Sequence, residues 1–430
     1  MKIYLNPNST ELKVILQRKV LNENLVENTV KDVFEKVKNE GDKAISEFSK
    51  KFDNVNISTF LISKVEFIEA IEEVPEELKN AISQAAINIE KFHSNQKENV
   101  SIIETMEGVK CWRKSIGIEK VGIYIPGGTA PLFSTVLMLG IPARIAGCDE
   151  IVLCTPPDKN GKVNPAILYT ANLIGISKVY KIGGIQAIAA MTYGTESIPN
   201  VYKIFGPGNQ YVTAAKQYAQ QINIAIDMPA GPSEVMVICD ETSKEQFIAA
   251  DLLSQAEHGI DSQVVLVSDS EDKIRLVNDE IKVQLENLPR RSIIEKSLEN
   301  SIAILTQKMH IVSIINQYAP EHLILNTSFN EELILGIKNA GSVFIGEFTP
   351  ESAGDYASGT NHTLPTNGFS KQYSGVSLDS FVKKITFQEI SRIGIKNIGK
   401  TVEIMAEAEG LLAHKNAITI RLNNLKDENK

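Results

Sequence analysis

Short apolar runs typical of buried strands recur along the chain, and helical patterns and glycine turns separate them. Such alternation predicts parallel sheets covered by helices on both faces, which is the α/β class. Because the runs fall into two series, we predict two doubly wound, incomplete Rossmann-like sheets. The first series covers 121–125, 151–154, 179–182 and 201–204, and the second covers 234–238, 263–267 and 342–345.

The rest of the pattern is mainly helical and sets the predicted domains. Helical spacing covers residues 10–20, 26–52 with an interruption near Gly41, 75–97 and 387–409, while a hairpin is predicted around Glu107–Gly108 and a long loop at 352–377. We predict an N-terminal helical arm at 1–20, an α/β domain carrying the metal and catalytic residues at 21–129 plus 233–371, a second α/β domain with glycine-rich nucleotide-binding turns at 130–232, and a C-terminal helical tail at 372–430.

One predicted helix carries polar side chains beside an apolar stripe. Thr242 and Glu245 have the spacing of a capping box, and Gly259 is predicted to be the left-handed residue that follows the helix. Gln255 and His258 lie one turn apart on the same face, so an amide oxygen and an imidazole nitrogen can reach the same point. The two side chains could therefore supply two of the ligands of a metal ion. The alternative is a surface helix whose histidine caps the last carbonyls.

Composition and charge narrow the class of protein. The chain has 430 residues, a formal net charge of -9 and no basic stripe, which argues against a nucleic-acid partner. No apolar run has the length of a membrane span or the form of a secretory signal. The four cysteines show no Cys-x-x-Cys spacing and are predicted to be core residues in a reduced compartment. We therefore predict a cytoplasmic protein.

A glutamate and a histidine interrupt an apolar strand just after Pro320. Adjacent residues of a strand face opposite ways, so Glu321 and His322 can reach one cleft only where the strand begins. The pair is a candidate base with a candidate water activator. An ion pair on an edge strand is the alternative.

Further polar groups occur in turn-rich segments. Asp355 supplies a hard oxygen within a glycine-rich segment that also contains His362, and Glu409 and His414 flank a turn. Two histidines, one carboxylate and one amide oxygen match a catalytic zinc set with open positions. His93 is predicted to be a surface residue without a role.

Two glycine turns lie between a strand and a helix, at 183–186 and at 206–209. Backbone donors and a helix N-terminus favour phosphate at such positions. Neither turn has the Gly-x-Gly-x-x-Gly spacing, and tight turns without a ligand are equally common. The turns alone therefore leave nucleotide binding open.

A series of ordered sequence blocks resembles the histidinol dehydrogenase family over nearly the whole chain. This family catalyses the last two oxidations of histidine biosynthesis. The blocks are 121–128 with 130–135, 205–209, 231–234, 253–259, 319–323, 354–362 with 364–366, and 414–417.

The resemblance implies Zn²⁺, one ion per subunit, and NAD as cofactors, L-histidinol as substrate, and a homodimer of intertwined subunits. It also implies that the C-terminal tail of one subunit lies over the active site of the other, with Glu409 and His414 completing that site. The chain departs from the family at two positions: Ile185 replaces a residue that is usually small, and Ile260 replaces a residue that is usually proline. The implied residues are Gln255, His258, Asp355 and His414 for zinc, Glu321 and His322 for proton transfer, Ser233, Gln255, His258, Glu321, His322, Asp355, Glu409 and His414 for substrate, and Tyr124, Gln186 and Asn209 for NAD.

Three alternatives to this function use parts of the same residue set. A zinc hydrolase would use Glu321 as general base without NAD, and an assembly protein on this fold would not depend on Glu321 or His322 at all. A covalent route through a cysteine is disfavoured, because neither Cys148 nor Cys154 has a partnered histidine or a cationic setting in the sequence.

Overall fold

The computed structural model describes residues 1–18, 23–127, 131–229 and 231–427. It divides into two compact units. The main unit comprises Met1–Gln96 and Ile118–Phe381, and the C-terminal unit comprises Lys97–Gly117 and the chain from Val382 onward. Three predicted features lie outside the described residues: the turn residue Gly128, the end of the arm at 19–20 and the domain boundary at 129–130.

The strands are β1 (Lys2–Leu5), β2 (Ile103–Met106), β3 (Val109–Gly117), β4 (Lys120–Tyr124), β5 (Glu150–Thr155), β6 (Lys178–Lys181), β7 (Lys203–Phe205), β8 (Ala225–Ile226), β9 (Glu234–Cys239), β10 (Gln263–Ser268), β11 (Ile302–Leu305), β12 (His322–Asn326), β13 (Ser342–Ile345) and β14 (Val382–Ile390). The helices are α1 (Ser9–Ile15), α2 (Glu23–Glu40), α3 (Asp42–Phe48), α4 (Lys64–Glu73), α5 (Glu76–Ser94), α6 (Phe133–Ala146), α7 (Pro165–Leu173), α8 (Gly184–Tyr193), α9 (Gln210–Gln221), α10 (Glu245–Ala256), α11 (Glu271–Leu285), α12 (Arg291–Glu299), α13 (Lys308–Tyr318), α14 (Asn330–Ile334), α15 (Glu351–Tyr356), α16 (Arg392–Ala408) and α17 (Leu412–Asp427).

A five-stranded parallel sheet confirms the first predicted series of strands, in the order β6-β5-β4-β7-β8. Alternate residues of a strand face opposite sides, so Ile123 and Leu153 enter one apolar core while Tyr124 and Cys154 enter the other. Helices α4 to α7 cover the first face, and α2, α3, α8 and α9 cover the second. Strand β4 therefore belongs to this sheet, and helices α2 to α5 pack against it. The predicted domain grouped these elements, as residues 21–129, with residues 233–371.

A six-stranded parallel sheet confirms the second series, in the order β1-β11-β10-β9-β12-β13. Helices α10 to α12 pack on one face and α1, α13 and α14 on the other. The arm predicted at 1–20 contains the helix α1, but its first residues form the edge strand β1. That strand is recognisable only through its pairing with β11, which lies about 300 residues away in the sequence.

The C-terminal unit is built on an antiparallel sheet in the order β14-β3-β2, with helices α16 and α17 packed on each other. The hairpin around Glu107–Gly108 is confirmed. The helix predicted over 387–409 begins too early, because residues 382–390 pair with β3 as a strand. Trp112 and Phe387 stack across this pairing with ring centroids 5.6 Å apart, and such cross-strand aromatic pairs stabilise a sheet.

Three local predictions are wrong. Thr242 donates to Asp240 instead of capping a helix, and α10 begins at Glu245 without a side-chain cap. Gly259 does not have a positive φ, since the helix ends in a right-handed residue at Glu257. His93 is fully buried and its Nδ1 lies 3.1 Å from Gln96 Oε1. In the described part of the chain, no helix has the length and apolar character needed to cross a bilayer.

Candidate active site

Glu321 and His322 lie at the amino end of β12, an internal strand of the six-stranded sheet between β9 and β13. Ala319 ends α13 in a left-handed conformation with φ of 56°, and Pro320 leads the chain into the strand. Both side chains are buried and approach each other, with His322 Nδ1 3.7 Å from Glu321 Oε2. The predicted convergence of the pair at the start of a strand is confirmed. The alternative of an edge strand is wrong, because β12 pairs with a strand on each side.

Gln255 and His258 approach the same point from α10. Gln255 lies in the last turn of the helix and is 1% exposed, and His258 lies just beyond the helix end, where its residue surface is exposed. In the amide orientation that turns its nitrogen toward Glu351, Gln255 donates to Oε1 of that residue over 2.6 Å and lies 3.3 Å from His322 Nδ1. The predicted pairing of Gln255 and His258 at the end of one helix therefore brings them to the site.

The short helix α15 adds two carboxylates, Glu351 and Asp355, which are one turn apart on one face. One ligand atom from each of His258, Glu351 and Asp355 lies within 4.8 Å of the others. Asp355 Oδ1 is 3.5 Å from His322 Nε2, and Glu351 Oε1 is 3.9 Å from His322 Nδ1. The prediction from the sequence missed Glu351, because it placed this segment at the start of a loop. The i, i+4 spacing of Glu351 and Asp355 after Pro350 was the available signal.

Burial and neighbouring charges set the proton affinities of this cluster. Burial lowers the pKa of His322, but Glu351, Glu321 and Asp355 outweigh it and raise the pKa to about 10. Burial raises the pKa of Glu321 to about 8, although His322 opposes this. Burial also raises the pKa of Glu351 well above its usual value, whereas His322 outweighs burial at Asp355 and lowers its pKa. The cluster therefore has more carboxylates than its imidazoles can neutralise, which favours an added cation.

Unsatisfied atoms provide a second test of whether a metal fits. His322 Nε2 and Asp355 Oδ1 are buried and face each other over 3.5 Å, and neither makes a well-formed hydrogen bond, which is uncommon for buried polar atoms in native proteins. If the Gln255 amide presents its oxygen to Glu351, two acceptors face each other, which is favourable only with a cation or proton between them. Imidazole nitrogen, carboxylate and amide oxygen are ligands that suit Zn²⁺. The cluster of His258, Glu351 and Asp355, with the Gln255 amide beside Glu351, therefore fits a zinc site, and Gln255 as a direct ligand stays a prediction.

The other predicted substrate and metal residues lie in two places. Ser233 immediately precedes β9, and its carbonyl accepts a hydrogen bond from Gln263 N over 3.2 Å. Glu409 follows α16 and His414 lies in the first turn of α17, and both are exposed on the C-terminal unit. The participation of Ser233, Glu409 and His414 stays a prediction.

The residues predicted to contact NAD lie at the carboxyl edge of the five-stranded sheet, where open α/β sheets bind ligands. The Tyr124 hydroxyl accepts a hydrogen bond from Gly184 N over 3.0 Å. Gln186 is fully buried and its Nε2 donates to Asp53 Oδ2 over 3.1 Å, while the Asn209 side chain caps the first turn of α9. All three side chains hold the turns in place, and their direct contact with NAD stays a prediction.

The remaining histidines and the cysteines have simpler environments. His362 Nδ1 is 2.8 Å from the carbonyl of Asp355, and its Nε2 is 3.0 Å from Thr135 Oγ1. His310 is exposed on α13. Burial raises the pKa of Cys148 to about 12 and that of Cys154 further, so neither thiol supplies a thiolate near neutral pH. This agrees with the prediction against a covalent cysteine route.

Known proteins resemble this chain in sequence and in structure. Residues 16–422 match the family model described as histidinol dehydrogenase. A histidinol dehydrogenase of Bacteroides thetaiotaomicron is 58% identical over 427 residues, which cover 99% of this chain and 100% of the relative. One of Campylobacter jejuni is 52% identical over 400 residues, which cover 92% of each. The crystal structure of histidinol dehydrogenase from Elizabethkingia anophelis superposes with a TM-score of 0.97 at 58% identity and covers 99% of both chains.

The family model and the relatives span nearly the full chain, as does the structural match, and all three carry the same description. The paired parallel sheets and the candidate metal cluster of His258, Glu351 and Asp355 agree with that description. The chain therefore belongs to the histidinol dehydrogenase family, NAD-dependent oxidoreductases that use Zn²⁺ in the final steps of histidine biosynthesis.

Proposed function

We propose that the cluster at the amino end of β12 oxidises L-histidinol through L-histidinal to L-histidine, with Glu321 and His322 as the catalytic residues. The observation that carries the proposal is the burial of His322 among Glu321, Glu351 and Asp355, beside the amide of Gln255. A buried imidazole among carboxylates is suited to proton transfer at a site that water enters only in part.

His322 is the base in both oxidations. A hydride leaves an alcohol carbon only as the alcohol oxygen loses its proton, so a base must lie within hydrogen-bond reach. NAD accepts the hydride in each step. In the second step Glu321 deprotonates a water that adds to the aldehyde, and the hydrated aldehyde then loses its hydride with His322 again as base. Retaining the aldehyde in the site prevents its side reactions.

The metal ligands are Gln255, His258 and Asp355 from the main unit, together with His414. When bound, Zn²⁺ supplies a template that orients the nitrogen atoms of the substrate. A cation held by Asp355 would remove one of the three carboxylates, with Glu351 and Glu321, that raise the pKa of His322, and so would favour the neutral imidazole that accepts a proton. Ser233 and Glu409 contact the substrate, and Tyr124, Gln186 and Asn209 contact NAD.

Metal removal and two matched variants test this proposal. The metal is stripped with a chelator, Zn²⁺ is restored, and NADH formation from L-histidinol and NAD is followed. We expect zinc-dependent formation of two NADH per substrate. Glu321→Gln should stop the reaction after the first NADH, and His322→Asn should slow both steps. NADH formation that does not depend on zinc, or two NADH per substrate in Glu321→Gln, would contradict the assignment.

We further propose that the chain forms a homodimer in which Glu409 and His414 of one subunit complete the site of the other. The support is the surface of the C-terminal unit, where α16 and α17 expose Ile404, Met405, Leu412 and Ile420 by 55%, 60%, 63% and 58%. Four large apolar side chains exposed on two helices that pack together favour an interaction site. The free cysteines agree with the reduced, cytoplasmic location that we infer.

Subunit mixing tests the shared site. Homodimers of Glu321→Gln and of His414→Asn should each be impaired. If the two sites are shared, a mixed dimer has one site with both defects and one with neither, so mixing restores activity. Mixed dimers without restored activity would place His414 in the site of its own subunit.

A further inference from the structure

Arg18, at the end of the described N-terminal segment, forms a bidentate ion pair with a buried carboxylate. Its Nε lies 2.6 Å from Glu234 Oε2 and its Nη2 lies 2.8 Å from Glu234 Oε1. The guanidinium also lies 3.9 Å from the centre of the Tyr318 ring, whose hydroxyl is 3.2 Å from Glu234 Oε2. The Glu234 side chain is 3% exposed, so Arg18 supplies the charge that this buried carboxylate needs.

The backbone of Glu234 contacts both proposed catalytic side chains. Its N–H donates to Glu321 Oε2 over 2.9 Å, and its carbonyl oxygen lies 3.4 Å from His322 Nδ1. A displacement of Glu234 at the start of β9 would therefore move the partners of Glu321 and His322 together.

Arg18 also holds the turn that leads into the catalytic pair. Its Nη2 donates to the carbonyl of Tyr318 over 2.9 Å and lies 3.5 Å from that of Ala319. Ala319 is held at a positive φ that an L-residue rarely adopts, and only Pro320 separates it from Glu321. One guanidinium thus fixes the two segments that determine where Glu321 and His322 lie.

We propose that Arg18 is a positioning residue for catalysis, acting through Glu234 and the turn at Tyr318–Ala319. The inference rests on the proposed roles of Glu321 and His322. Lysine cannot replace the arginine, because a single ammonium group does not reproduce the planar fork that spans both carboxylate oxygens and a carbonyl.

Steady-state kinetics of the full-length, zinc-loaded enzyme test the proposal with Arg18→Lys, Glu234→Gln and Tyr318→Phe. We expect Arg18→Lys and Glu234→Gln to lower kcat about tenfold to 100-fold, since a misplacement of about 1 Å can cost that much. The KM for L-histidinol and the zinc content should change little, and Tyr318→Phe should have a smaller effect in the same direction. Arg291→Lys, which alters an exposed contact with Glu295, is the control and should match the wild type.

A purely structural role predicts a different result. It would lower the melting temperature of these variants while leaving kcat per zinc-loaded enzyme at the wild-type value, and that outcome overturns the proposal. If Arg18→Lys does not fold, Glu234→Gln and Tyr318→Phe decide the question by the same criterion. Guanidinium added to Arg18→Ala should partly restore kcat. If Glu321→Gln keeps the wild-type kcat and forms two NADH per substrate, the proposed function itself is contradicted. If Glu321→Gln is impaired but the Arg18 variants keep the wild-type kcat, only the positioning role of Arg18 is contradicted.

Discussion

Glu351 is fully buried, yet its carboxylate has no cationic partner of its own beyond the shared imidazole of His322 in the described residues. Its carboxylate faces the Gln255 amide, from which it accepts a hydrogen bond when the amide nitrogen is turned toward it, and lies within reach of His258 and Asp355. A carboxylate in this position orients a metal ligand and adds negative charge next to the metal. Glu351 therefore belongs to the candidate metal site, although the resemblance to the family did not include it.

We expect Glu351→Gln to weaken zinc binding about 10–100-fold, because the substitution keeps the volume but removes the charge and changes the hydrogen bond to Gln255. The measurement is zinc retained in competition with a chelator of known affinity. Glu331→Gln, at an exposed position of α14, is the control. Equal zinc retention in Glu351→Gln and in the wild type would exclude this role.

Asp251, one turn before Gln255, has a pKa that burial raises from 3.8 to about 7. The folded state therefore binds a proton more tightly than the unfolded state, so the free energy of unfolding falls as pH rises from about 4 to about 7 and is flat above. We expect Asp251→Asn to be more stable than the wild type at about pH 8, by at most about 4 kcal/mol, and by less at about pH 5. Urea unfolding of both proteins without metal checks this. An equal difference at the two pH values would contradict it.

At the scale of the elements, the turn after β7 depends on a glycine. Gly206 has φ of 129°, and a Cβ there would lie 2.1 Å from the carbonyl oxygen of Tyr124. Its N–H donates to Asp227 over 2.9 Å and its carbonyl accepts from Lys216 over 2.8 Å. The close approach of β7 to the end of β4 therefore requires glycine, and it places Asn209 at the sheet edge where NAD is expected.

We expect Gly206→Ala to destabilise the protein by more than about 1–3 kcal/mol and to raise the KM for NAD, because both the backbone conformation and the contact with Tyr124 are incompatible with a side chain. Denaturant unfolding and NAD titration are the measurements. Gly175→Ala is a matched control, since Gly175 also has a positive φ but has open space around its Cβ position. Similar losses in both variants would show that the approach to Tyr124 is unimportant.

At the scale of the whole molecule, the metal cluster joins segments distant in the sequence. His258 follows α10, Glu351 and Asp355 belong to α15, and Glu321 and His322 begin β12. A cation that binds these groups only in the folded chain stabilises the fold by mass action.

We expect zinc at about 1,000 times its Kd to raise the free energy of unfolding by about 4 kcal/mol, visible as a higher melting temperature. His258→Asn and Asp355→Asn should lose most of this increase, whereas His310→Asn, at an exposed site on α13, should keep it. An increase that persists in His258→Asn and Asp355→Asn would place the zinc elsewhere.

Element type was predictable where periodicity was strong. The strands around Val121, Ile151 and Val235 are buried on both faces, so their apolar runs identify them without tertiary information. The last four residues of β14, 387–390, were mistaken for the start of a helix because the strand alternates weakly and pairs with β3, more than 250 residues earlier in the sequence. His93 was mistaken for a surface residue because its partners, Gln96 and Asn361, come from its own helix end and from a distant loop.

Local periodicity and the order of short motifs were enough to predict the two series of strands, the family, and the chemical types of the proposed site residues. Folding revealed what the sequence could not: that Asp355 and Gln255 surround the proposed catalytic pair, that Glu351 joins the candidate metal cluster, and that Arg18 holds Glu234. Each of these depends on side chains brought together across long sequence separations by sheet pairing and burial, and no pattern within one segment contains that information.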